Sequence, residues 1–70
     1  MKKIIALLER RDFVVLKETE IEVTAKLVID GIDVLKIAIA KVDTKYKTTY
    51  EGGDPVVLDN SDLVALYLDS

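Results

Sequence analysis

The sequence predicts a single α+β domain over residues 1–70: a short N-terminal helix packed on an antiparallel β-meander of three to five strands, with a short C-terminal helix. Three observations carry this. Residues 21–29 alternate with period two, and a second apolar stretch, 33–42, follows across Asp30-Gly31, a strong hairpin dipeptide. Near the N-terminus, Ile4, Leu7, Leu8 and Arg11 fall at helical spacing. Towards the C-terminus, Asn60-Ser61-Asp62 has the chemistry of a helix start.

The first helix is expected over residues 2–11, with Ile5 broadening its apolar stripe and Arg10 and Arg11 in the last turn, where cations suit the helix dipole. Asp12 ends it. Phe13-Val14-Val15-Leu16 follows as a short buried strand, and Lys17-Glu18-Thr19-Glu20 is its continuation or a polar turn. In 21–29, Ile21, Val23, Ala25, Leu27 and Ile29 point one way and Glu22, Thr24 and Lys26 the other. A two-residue loop would set Lys36 opposite Ala25 on the apolar face. A three-residue loop, Ile29-Asp30-Gly31, pairs Ala25 with Leu35, Val23 with Ile37 and Ile21 with Ile39, and is the expected register.

Strand 33–42 is apolar on both faces: its second face carries Val34, Lys36, Ala38, Ala40 and Val42. Small and β-branched residues there allow close approach of a flat surface. Either a helix of the same chain or a second subunit covers that face. Lys45 to Tyr50 has strand propensity after a turn at Asp43-Thr44. Glu51-Gly52-Gly53-Asp54-Pro55 is a loop, since Pro55 bars Asp54 from helix. Val56-Val57-Leu58 reads as an edge strand. Residues 62–69 are apolar on all sides, so strand competes with helix, and the capping residues favour helix.

Half of the residues are hydrophobic, and the chain has no Cys, His or Trp. A domain this small buries a modest core, and disulfides, metals or association commonly supplement it. Without Cys or His, disulfides and thiolate or imidazole metal sites are excluded, leaving association. The net charge of −3 is uneven: residues 1–50 carry ten Lys/Arg and eight Asp/Glu, while residues 51–70 carry five acids and no base. That balance argues against non-specific nucleic-acid binding. The apolar run after Met1-Lys2-Lys3 is too short for a leader and no stretch has the length of a membrane span, so a cytoplasmic protein with no membrane association is expected.

The same absences argue against an enzyme. There is no imidazole base and no thiol nucleophile, and Ser61 and Ser70 lack a neighbouring base. Asp54, Asp59 and Asp62 fall within nine residues, close enough for a carboxylate site, but their spacing matches no calcium loop and their residue types are those of turns and caps. Gly52-Gly53 lacks the pattern of a phosphate loop. No cofactor and no metal are expected.

Three surfaces remain as binding candidates. An oligomer face would comprise Val34, Ala38, Ala40 and Val42. An acidic surface would comprise Glu51, Asp54, Asp59 and Asp62. A ligand, nucleotide or single-strand site would use Lys45, Tyr46, Lys47 and Tyr50, although on a strand the two tyrosines point away from the two lysines. The expected function is therefore a small non-enzymatic module acting through protein–protein contact. Its partners would be itself, as a homo-oligomer, and another protein, in an accessory or inhibitor role.

Overall fold

In the computed structural model, which describes residues 1–70, the chain runs α1 (Lys2–Glu9), β1 (Phe13–Glu18), β2 (Glu22–Ile29), β3 (Ile32–Val42), β4 (Lys45–Tyr50), β5 (Val56–Leu58) and α2 (Ser61–Asp69). The five strands form one antiparallel sheet in the order β1-β2-β3-β4-β5, a meander in which each strand pairs with its neighbour in sequence. This is the expected α+β architecture with the full complement of strands.

Helix α1 forms because Ile4 and Leu8, one turn apart, both become fully buried. It ends two residues earlier than its periodicity predicts. The amides of Arg11 and Asp12 donate to the carbonyls of Leu8 and Glu9 at 3.0 and 3.1 Å, tightening the last turn, and Asp12 turns the chain at φ +65°. In α2 the cap is Asn60, whose side-chain oxygen accepts the Leu63 amide at 2.9 Å, with Asp62 in the first turn. That settles residues 62–69 as helix.

Between β1 and β2, the Thr19 hydroxyl accepts the amides of Ile21 and Glu22, so a polar side chain holds this turn. The β2–β3 connection corrects the expected register. Asp30 and Gly31 alone form the loop, at φ +53° and +76°, the signature of a type I′ turn, and Ile29 pairs with Ile32. A bulge then inserts Val34, after which Leu27 faces Leu35, Ala25 faces Ile37 and Val23 faces Ile39. The extra residue restores apolar-to-apolar pairing, so a two-residue loop no longer sets Lys36 against Ala25.

Both helices lie on one face of the sheet. α1 packs along β1, α2 packs on β4 and β5, and the helices touch each other. Ile4, Leu8 and Val64 meet Phe13, Val23, Ala25, Ile37 and Ile39 in one core. Thr48 is fully buried beside them, and its hydroxyl has no hydrogen-bond partner. The helices are tied at their far ends by Arg11. Its guanidinium donates to both carboxylate oxygens of Asp69, at 2.6 and 2.8 Å, and to the Leu7 carbonyl at 2.9 Å. This bond holds the Asp69 carboxyl below the usual carboxylate range and raises the arginine further.

Candidate functional site

With both helices on one side, the other side of the sheet is bare. Strand alternation and the pairing register place Val14 and Lys17 of β1, Glu22, Thr24 and Lys26 of β2, and Lys36, Ala38, Ala40 and Val42 of β3 there. Lys45, Lys47 and Thr49 of β4 and Val57 of β5 complete it. Val14, Val42 and Val57 are each about half exposed, at 49, 52 and 58%.

The middle of this face is flat and uncharged. Thr24, Ala38 and Thr49 lie side by side on three adjacent strands, and Ala40 sits one step along β3. A shallow trough of about 260 Å³ lies at one end, lined by Thr24, Lys36, Ala38 and Thr49 with the Glu51–Gly53 turn at its rim. A second, of about 460 Å³, lies at the other end, lined by Val42, Lys45, Lys47 and Val57 with Asp43 at its rim. Two of the lysines have acidic partners within the chain: Lys26 lies 3.3 Å from Asp33, and Lys45 lies 3.6 Å from Asp59.

Of the expected oligomer face, Ala38, Ala40 and Val42 come together here. Val34 does not join them, because it is the extra residue of the bulge, near the overhanging tip of the β2–β3 hairpin. The four acidic residues are all exposed but fall into two pairs. Glu51 and Asp54 precede β5, while Asp59 and Asp62 follow it, so they bracket the β5 edge from both ends. Among His, Cys, Asp and Glu no group of three or more is arranged to hold a metal ion.

The Lys/Tyr segment divides between the faces. Lys45 and Lys47 are on the open side, whereas Tyr46 and Tyr50 pack against the core on the helix side. The Tyr50 ring meets that of Tyr67 in α2 at 5.6 Å between centroids. Burial, and then Tyr67, raises the Tyr50 phenol above its ordinary value. The four side chains do not converge on one ligand.

Sequence reasoning missed the Arg11–Asp69 clip, which joins residues 58 positions apart and leaves no local signal. It also missed the grouping of Lys36 with Thr24 and Thr49, which depends on the bulge-corrected register. No helix is long and apolar enough to cross a membrane. Comparison of the chain with protein-family models, with curated proteins and with solved structures finds no match.

Proposed function

We propose that this protein is a non-enzymatic binding module acting through protein–protein contact, and that the first occupant of its open sheet face is a second copy of the chain. One observation carries the reading: a five-stranded sheet has both helices on one side and apolar and small residues uncovered on the other. The molecule measures 36 × 22 × 18 Å, and its longest dimension matches the reach of the 11-residue β3 at about 3.3 Å per residue. A face spanning the two longer dimensions has a footprint on the order of 800 Å², the area each partner contributes to a standard interface. An accessory or inhibitory role in the cytoplasm fits a chain that offers a surface and lacks His and Cys.

The test is absolute mass in solution, by light scattering during gel filtration, for the wild type and Ala38→Glu. A carboxylate in the centre of the flat patch should return an oligomer to monomer mass with the fold intact, since Ala38 touches no helix. A wild type that is monomeric throughout the accessible concentration range would refute self-association. An oligomer indifferent to Ala38→Glu would move the contact off this face.

A further inference from the structure

Resting on that reading, we infer that the contact is isologous: two copies meet open face to open face about a two-fold axis that runs across the strands through Thr24, Ala38 and Thr49. Glu22 and Glu51 of each copy then meet Lys26 and Lys47 of the other. The pairing register places these four residues at the corners of a rectangle around Ala38. Glu22 and Lys47 flank Ala40 from β2 and β4, and Lys26 lies beside Lys36 on β2. On the other side of Lys36, Glu51 extends the β4 ladder by one residue. Its amide donates to the Lys36 carbonyl at 3.0 Å, and it borders the same trough as Thr49. The rectangle measures about 10 Å across the strands and about 13 Å along them, from strand separation and rise. Charges alternate around it, and none of the four pairs with another within the chain.

An alternating rectangle is its own complement. Turned over about an axis parallel to either side, it sets every carboxylate on a lysine. Turned over about a diagonal, it sets two corners on themselves. The charges therefore favour sheets packed with their strands aligned rather than crossed. The twist between aligned sheets, about 30°, displaces the corners by about 4 Å, within the reach of a lysine side chain. Lys36 decides between the two aligned axes. An axis along β3 lays Lys36 on the partner's Lys36 in the middle of the contact. The axis across the strands lays it on the partner's Ala40, where a small side chain leaves room for its stem. The like pair that this axis creates, Lys17 on the partner's Lys17, lies on the edge strand β1, where water and salt screen it. Lys26 already holds Asp33 at 3.3 Å, and its three ammonium donors admit Glu22 of the partner beside it. Ala38 lies on the partner's Ala38, so little side chain separates the sheets at the centre. The same patch serves both copies, and assembly stops at two.

The experiment reads absolute mass in solution for Lys47→Glu, Glu51→Lys and Glu22→Lys, all at exposed positions, with a thermal melt of each to check its fold. The wild type should run as a dimer and nothing larger. Each variant alone sets like charges on each other twice and should run at monomer mass. Lys47→Glu mixed with an equal amount of Glu51→Lys should recover the dimer, because both altered contacts again join opposite charges. Lys47→Glu mixed with Glu22→Lys should stay monomeric, since those two positions do not meet. The reverse pattern, recovery only with Glu22→Lys, overturns the axis across the strands. Variants that stay dimeric by themselves, variants that recover in neither mixture, or a wild type that grows beyond a dimer overturn the isologous frame and leave the open-face reading standing. A monomeric wild type overturns both.

Discussion

Along β3, Ile37 and Ile39 are at most 1% exposed, while Ala38 and Ala40, one residue away on the same strand, look out where no helix lies. The two faces of the sheet are written by different chemistry. The covered face uses large branched side chains that interlock with Ile4, Leu8 and Val64. The open face uses alanine and threonine in its middle, with lysines, Glu22 and half-exposed valines around them, a surface with little to interlock. One face makes the fold and the other is free to make contacts.

The largest effect should follow from damaging the covered face. Ile39→Ala removes a fully buried side chain from the central strand and should cost about 3 kcal/mol in urea unfolding. Ala38→Glu, its neighbour, should leave the urea midpoint nearly unchanged. A comparable loss in both variants would mean that the two faces are not separable in this way.

Thr48→Val should act in the opposite direction. It keeps the shape of the side chain and removes a buried hydroxyl that has no partner, so a gain of about 1 kcal/mol is expected in the same unfolding experiment. A loss would mean that the hydroxyl is satisfied in solution.

Smaller effects belong to the helix layer and its ionisable groups. Arg11→Ala frees the C-terminal end of α2, and the amides of residues 64–69 should exchange with deuterium faster while those of β2 and β3 do not. The Asp69 carboxyl is held below its ordinary value by the Arg11 bond, so its contribution is present above about pH 4 and is lost as pH falls through the lowered folded value. At the alkaline end the folded chain keeps the Tyr50 proton after the unfolded chain begins to lose it. Stability should therefore fall as pH rises past about 10, and Tyr50→Phe should flatten that decline. Thermal melts across both ranges, with Asp69→Asn and Tyr50→Phe as controls, read both effects.

Much of the architecture was legible because it was encoded locally. Alternation marked β2, Asp30-Gly31 marked its turn, and Asn60 marked the start of α2. The bulge at Val34 was not legible, because two loop lengths lead to the same facing of side chains and only three-dimensional packing chooses between them. For the candidate site, β3 alternation placed Ala38, Ala40 and Val42 together. It could not reveal that both helices settle on the same side, which depends on contacts between residues as distant as Ile4 and Val64. The four acids looked contiguous in sequence, but the intervening strand β5 divides them.

The strict 1-2-3-4-5 order has a kinetic consequence. Every strand pairing can form by closing a short turn, so the sheet can zip outward from the Asp30-Gly31 hairpin with little loop entropy to overcome. The contacts that span most of the chain, α1 against α2 and the Arg11–Asp69 clip, close its longest loops and should form after the sheet that carries both helices. Refolding should therefore be fast for a protein rich in β-structure. Docking of α2 should be its last step, and Arg11→Ala should accelerate unfolding while leaving the folding rate almost untouched.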